Sequence, residues 1–308
     1  MNHKVTALAS GIFVLLAVVG CGSEKEAAND SPVKTLGEAA PKPKETTVAA
    51  PVAVADSGQA IAAKLAKAIE RTKDGFDRAD LYAKAKAMGA NGKPLLAILQ
   101  QGLKDPEPVA RASALEAIAA IDVNAIGGAL LAAFADRDAE VRARAFAVME
   151  LQPIFDIELC FKAVGDEIDS ALQLKGMQLL EKHATAAHGS QLVKLLGALD
   201  PKAAAPALQL TAKLGLKQAA GRVAEFVNSH DEDARCAAAD ALAILGVATQ
   251  DQLKALVRAL DDDALRVRKS AFAALKKLSG KDLPFNPDGE DIEREDEVKA
   301  WKEAVLGR

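Results

Sequence analysis

The residues with the most chemical potential in this chain recur at a fixed interval. Arg111, Arg142, Arg235 and Arg268 each follow an acidic or proline-bearing turn, and Asp138, Asp231 and Asp262 lie in such turns. A guanidinium offers a planar fork of donors that matches a carboxylate or a phosphate. Two uses fit: a row of arginines that binds an anionic ligand, or a row that holds the chain's own turns together. One arginine per structural unit favours the second use, because stacked units need regular contacts between neighbours. Other chemistry is sparse. Beyond the first few residues the histidines are His183, His188 and His230, and no pair has the i, i+4 spacing of a metal-binding helix. They are expected to be solvated. No glycine-rich phosphate loop of standard form occurs. The stretch "NPDGEDIERE" has Gly289 and Glu295 placed as in a calcium loop. Pro284 at the first ligand position and Asp291 at the apolar position break that pattern. No catalytic residue, metal or cofactor is expected.

The first twenty residues are an address rather than a fold. Lys4 precedes an apolar run from Val5 to Val19, densest over Ile12 to Val19. That run is shorter than the roughly 20 residues of a spanning helix and has the form of a secretory signal. Its exit, Val18-Val19-Gly20-Cys21, resembles the lipobox of bacterial lipoproteins. The resemblance implies removal of residues 1–20 and a diacylglyceryl group on Cys21. Acyl chains contribute about 0.8 kcal/mol per buried CH₂, which makes a stable membrane anchor. Gly22, rather than Asp, implies the outer membrane if the host is Gram-negative. Without Lys4 the chain has 38 Lys+Arg against 43 Asp+Glu, a balance that argues against a nucleic-acid partner. Residues 21–57, rich in Pro, Ala, Lys, Glu, Ser and Thr, are expected to form a disordered tether reaching about 100 Å at ~3.1 Å per residue.

After the tether the text repeats. "DPEPVARASALEAI" begins at Asp105, "DRDAEVRARAFAVM" at Asp136, "DEIDSALQLKGMQLL" at Asp166, "DPKAAAPALQLTA" at Asp200, "DEDARCAAADALAIL" at Asp231 and "DDALRVRKSAFAAL" at Asp262. With the first apolar site set at Ala110, Val141, Leu172, Ala204, Ala234 and Val267, the steps are 31, 31, 32, 30 and 33 residues. A second amphipathic segment lies between successive copies, so each unit is a helix, a turn and a helix. This pattern resembles the HEAT repeat family in its short bacterial form, and "DRDAEVRARAFAV" and "DDALRVRKSAFAAL" carry the likeness most closely. The resemblance implies an all-α, right-handed α-solenoid of about six helix pairs over residues 92–279. It also implies that the arginines reach the acidic turns of neighbouring repeats. Leu172-Gln173 and Ala204-Ala205 lack the arginine. Ala114, Ala145, Gly176, Ala238 and Ala271 are small enough for helix axes 8–10 Å apart. Asp138, Asp231 and Asp262 suit helix N-caps, and Pro106, Pro108 and Pro201 suit first turns.

The ends need caps. Residues 58–91, with an apolar stripe of Ile61, Leu65, Ala68 and Ile69, form the expected front cap. Residues 280–308 form the rear one, where Val298, Trp301 and Val305 share a helix face. Trp301 either closes the core or anchors a partner. Gly58–Lys104 carries nine Lys+Arg and four Asp+Glu, whereas Ser279–Arg308 carries five and nine. The array is thus basic at one end and acidic at the other, and the basic end is expected to face an anionic surface or partner. Cys160 and Cys236 fall two units apart, too far for the ~7 Å that a disulfide spans, so both are expected as free, largely buried thiols. Taken together, the chain reads as a lipid-anchored, exported scaffold of the bacterial cell envelope whose concave helical surface binds an unidentified protein. A passive structural envelope protein is the second reading. An enzyme is the third, by analogy with bilin lyases built on similar repeats.

Overall fold

A computed structural model describes residues 52–307, with side chains from residue 57. Cys21, its signal segment and most of the tether lie outside the described residues. The described chain is helical throughout. First-layer helices are α1 (Val52–Arg71), α3 (Leu96–Gly102), α5 (Ile126–Phe134), α7 (Ile157–Asp166), α9 (Gly189–Leu195), α11 (Ala220–Glu225) and α13 (Gln250–Ala259). They alternate with second-layer helices α2 (Gly75–Ala87), α4 (Pro108–Ile121), α6 (Ala139–Glu150), α8 (Ser170–His183), α10 (Pro201–Lys213), α12 (Glu232–Leu245) and α14 (Leu265–Ser279). A last helix, α15 (Asp291–Leu306), follows. Among the described residues no helix is long and apolar enough to cross a membrane.

Each second-layer helix packs on the helix before it and on the second-layer helices of adjacent pairs, from α2 on α4 to α12 on α14. The result is a stack of helix pairs, an α-solenoid. Its core runs unbroken between the layers through Leu115, Ile118, Phe146, Met149, Met177, Leu180, Leu208, Leu242, Leu256 and Leu275, all at most 1% exposed. One pair alone cannot bury such a stripe, so stacking supplies the stability.

Helix starts are written in the sequence. Asp74, Asp138, Asp156, Asp169, Asp200, Asp231 and Thr249 are N-caps whose side chains accept backbone N–H bonds. Pro108 and Pro201 open α4 and α10, where a missing N–H costs nothing. Pro106 lies before its helix. Asp262 is not a cap either: α14 is capped at Ala264, and Asp262 has another task.

Three boundaries differ from expectation. The first helix begins at Val52, inside the segment assigned to the tether. Residues 58–91 are no mere cap, because α1 and α2 form a complete pair with the same turn contacts as the rest. That makes seven pairs among the described residues. In α10 the N-cap at Asp200 makes Ala203, not Ala204, the equivalent of Ala110 and Val141. Pro201 at the first helical position hides this one-residue shift, and correcting it makes the first four steps all 31.

At the rear, Trp301 is fully buried and stands edge-on to Phe272 with ring centroids 5.9 Å apart. Val298 and Val305 are half-buried beside it, and α15 packs on α13. Trp301 therefore closes the core and offers no surface to a partner. Cys160 in α7 is wholly buried, and burial, with a smaller contribution from Asp156, pushes its thiol up to about 12. Cys236 is half-buried, less than expected, because it sits at a groove edge 3.2 Å from Ser270 Oγ. Both thiols are free.

Close helix approach can be tested at two glycines. A Cβ on Gly176 would lie 2.2 Å from Val164 Cγ2 and 2.9 Å from Phe146 Cε1, whereas one on Gly128 in α5 meets nothing within 4 Å. Overpacking costs about 1–3 kcal/mol, and alanine favours a helix over glycine by about 1 kcal/mol. Gly176→Ala should lower the urea midpoint, and Gly128→Ala should raise it.

Candidate functional site

The recurring arginine stands at the fourth residue of five of the seven second-layer helices among the described residues. Its backbone N–H bonds the N-cap carbonyl, as in Arg111 to Glu107 and Arg142 to Asp138. This aims the side chain back along its own turn and across to the next. Arg111 Nη1 donates to the carbonyls of Asp105 and Pro106 at 2.8 and 3.0 Å. Its Nε and Nη2 form a fork on Asp136 at 2.6 and 2.8 Å. Arg142 repeats this with the Asp136 carbonyl at 3.0 Å and Glu167 at 2.8 Å from both Nε and Nη2. Arg235 binds the Ser229 and His230 carbonyls and forks onto Asp262. Arg268 binds the Asp262 and Asp263 carbonyls and reaches the Pro287 carbonyl at 2.7 Å, tying in the C-terminal loop.

Two parts of this ladder were not legible as such. Arg78 in α2 is its first rung: it binds the Thr72 and Lys73 carbonyls and forks onto Asp105. The acceptors are Asp105, Asp136, Glu167 and Asp262. Asp138 and Asp231, assigned to the ladder from sequence, cap helices instead. Each acceptor sits two residues before an N-cap and also accepts its backbone N–H, as Asp136 does from Asp138 and Asp262 from Ala264. The signal is an acid followed six residues later by arginine: Asp105 and Arg111, Asp136 and Arg142, Asp262 and Arg268. Asp288 and Arg294, in the stretch resembling a calcium loop, continue it. Arg294 is buried there and donates to the Gly289 carbonyl and Asp291.

Charges leave the ladder in matched pairs. Gln173 replaces arginine in α8, and the acceptor position facing it is Ala198. Gln173 Nε2 donates to the Glu167 carbonyl at 2.8 Å, and its Oε1 accepts the Asp200 N–H at 2.8 Å. The amide thus performs both roles without charge. At the next junction both partners are uncharged: Ala204 stands at the arginine position, and Ser229 accepts the Asp231 N–H. A buried charge left without its partner is far more costly than the loss of both.

The electrostatics follow. For Asp105, Asp136 and Glu167 burial works against ionisation and is the largest single influence. The arginine bonds, turn N–H bonds and nearby positive charge together outweigh it and hold each carboxyl below its ordinary value. Bonding to the carboxylate raises Arg78, Arg111, Arg142 and Arg235. Arg111 and Arg142 are 5% and 8% exposed, with their forks and Nη1 groups engaged. They form a structural ladder and present no donors to an anionic ligand.

The exposed face of the second layer is different. Ion pairs cross it from helix to helix: Lys86 to Glu116 to Arg144, Glu150 to Lys182, Glu181 to Lys213 and Asp233 to Arg266. Between α4 and α6 a groove of about 300 Å³ has a floor of Ala119, Ala120, Ala147 and Val148, with the Lys86–Glu116–Arg144 chain along it. Leu151 at its mouth is 82% exposed, and Ile154 nearby in sequence is 79% exposed. A second groove, of about 320 Å³, lies where the ladder is uncharged and includes Leu174, Ala205, Pro206 and Cys236. The histidines are scattered. His183 is exposed and stacks on Phe155 at 3.9 Å, and His230 is exposed. His188 is half-buried, not solvated, and its Nδ1 accepts the Thr185 N–H. Among the described residues no group of three His, Cys, Asp or Glu side chains could hold a metal ion.

The matched replacements predict a double-mutant result. Arg142→Ala, which strands Glu167, should cost about 3–5 kcal/mol in urea unfolding. Arg142→Gln with Glu167→Ala recreates the natural Gln173–Ala198 arrangement and should recover most of that loss. The ladder also sets a pH dependence. The carboxyls of Asp105, Asp136 and Glu167 are depressed in the fold, so their stabilisation is complete above the unfolded values, about 4 to 4.5, and is lost as pH falls through the folded values. Thermal midpoints should fall steadily below about pH 4.5, and less steeply in the Arg142→Gln, Glu167→Ala protein.

Comparison with known proteins bears on the same elements. Residues 189–276 match the family model for HEAT repeats. No curated protein matches the chain. Human deoxyhypusine hydroxylase, solved with glycerol, is 19% identical over 74% of this chain and 89% of its own, with a TM-score of 0.34. A designed armadillo repeat protein is 18% identical over 70% and 98%, with a TM-score of 0.29. An engineered protein is 16% identical over 71% and 97%, with a TM-score of 0.31. The helix stacking and the family match, rather than these distant likenesses, carry the assignment. Helices α9 to α14 thus lie almost wholly within the stretch that matches HEAT repeats, and the ladder continues the same turn contacts back to Arg78.

Proposed function

We propose that this chain is a non-catalytic, protein-binding scaffold, held at a membrane of the bacterial cell envelope by a lipidated Cys21. The outer membrane is the expected site if the host is Gram-negative. One observation carries the binding reading: the second layer presents an alanine-floored groove with the exposed Leu151 at its mouth, and the exposed Ile154 follows three residues later. Apolar side chains at 82% and 79% exposure in the turn that follows α6 are suited to a partner's apolar residues, and the ion-pair chain of Lys86, Glu116 and Arg144 supplies a polar rim. HEAT repeats commonly bind proteins, which agrees with this use. The lipobox-like Val18-Val19-Gly20-Cys21 supports the anchor.

Site-specific photo-crosslinking in the native host tests the proposal. A crosslinker at Leu151 should yield one dominant envelope-protein adduct. Ala147→Glu, which fills the groove floor, should abolish it, and Cys21→Ala should weaken it and remove fatty-acid labelling. Adducts from a first-layer position such as Gly128, with none from Leu151, would place binding on the wrong face for this reading.

A further inference from the structure

We propose that the outward face of α1 is a docking surface for an anionic lipid bilayer. The helix comes first in the stack, so neighbours cover one side of it. Ala62 and Ile69 are buried and Leu65 is half-buried on that side. At about 100° per residue, Lys64, Lys67 and Arg71 fall within an arc of about 60° centred opposite Ile69. All three are exposed, and none has an acidic partner within bonding distance among the described residues.

Five cations of the second layer are placed differently. Lys86, Arg144, Lys182, Lys213 and Arg266 are all paired with a neighbouring helix. Lys73, in the turn after α1, adds another exposed cation. Glu70 lies outside the arc, about 60° from Lys67. Ile61 on α1 and Phe76 at the start of α2 add apolar groups that are 55% and 65% exposed. Cations with flanking apolar side chains suit the interface of an anionic membrane. The opposite end repels it: on α15 the exposed charges are Asp291, Glu293, Glu295, Asp296 and Glu303 against Lys299 and Lys302. A bilayer would therefore take the array by its α1 end and leave the second-layer groove clear. This proposal stands apart from the scaffold reading and from lipidation of Cys21.

The test uses the chain from residue 21 onward with Cys21→Ala, so that no acyl chain contributes. Sedimentation with vesicles of phosphatidylethanolamine and phosphatidylglycerol should show binding at low salt that falls as salt rises. Vesicles of phosphatidylcholine should bind little. Neutralising Lys64, Lys67 and Arg71 to Gln should reduce partitioning on the order of 100-fold, while neutralising Lys254, Lys277 and Lys281 should leave it within a few-fold. Thermal melts of both variants establish that they fold. No binding to the anionic vesicles, equal binding to phosphatidylcholine, or no loss in the first variant would overturn the proposal. Salt-sensitive self-association without lipid, abolished by the same three substitutions, would assign the face instead to the acidic end of a second copy.

Discussion

The rest of the structure depends on one guanidinium used twice. Each ladder arginine bonds the carbonyls of the turn from which its helix starts and reaches the turn that follows. At most rungs it finds there a carboxylate that in turn holds an N-cap N–H. Position along the helix, turn conformation and distance between repeats are thereby fixed together. This explains the near-constant step, because an inserted residue between Asp136 and Arg142 would pull the fork from its carbonyl or from Glu167. The apolar core provides the driving force for stacking, but apolar surfaces slide. A planar fork with two bonds at one carboxylate does not.

The uncharged junctions show which part of this arrangement is indispensable. Gln173 keeps the turn bonds without charge, and Ala204 with Ser229 keeps only the N-cap bond. Every junction satisfies the N–H at the helix start, whereas the ion pair is present at some and absent at others. Satisfying backbone groups at helix ends is thus the constant requirement, and the salt bridge is one means of meeting it. Around Ala204 the stack is held by small apolar residues, Ala203, Ala204, Ala207, Ala234 and Ala238, all fully buried. Close packing there takes over the spacing role that arginine has elsewhere.

Much of this was legible in the sequence, for identifiable reasons. The repeat, its helix pairs, the close-contact positions and the burial of Trp301 follow from periodicity and residue size. The arginines were visible because they recur. Their acceptors were less so, because two acids share each turn. Asp136 and Asp138 differ by two residues, yet one receives a guanidinium and the other caps a helix. Asp262 looked like a cap because the true N-cap, Ala264, has no side chain to advertise it. Arg78 escaped because its turn has Thr72 where the turns of Arg111, Arg142 and Arg268 have an acid. The shift at α10 escaped because alanine occupies 203, 204 and 205. The groove was not legible at all, since depth between α4 and α6 depends on how far apart their axes lie, and no residue type encodes that.

The division of charge has a functional consequence. Ladder charges are buried and matched, and those crossing the second layer are exposed but also matched, so neither set gives that face a strong net field. Net charge is densest at the ends, where a helix has a neighbour on one side only and no partner chooses the sign. A face without net field discriminates by shape and apolar contact more than by steering. A charged end orients the whole array. Selection can therefore alter what the groove holds, through Ala147 or Leu151, without disturbing Arg111 and Arg142 beneath. It can equally alter what the ends meet, through Lys64 or Glu293, without disturbing the groove. The ladder makes these changes independent by carrying the registration of the stack on residues whose donors the turns already engage.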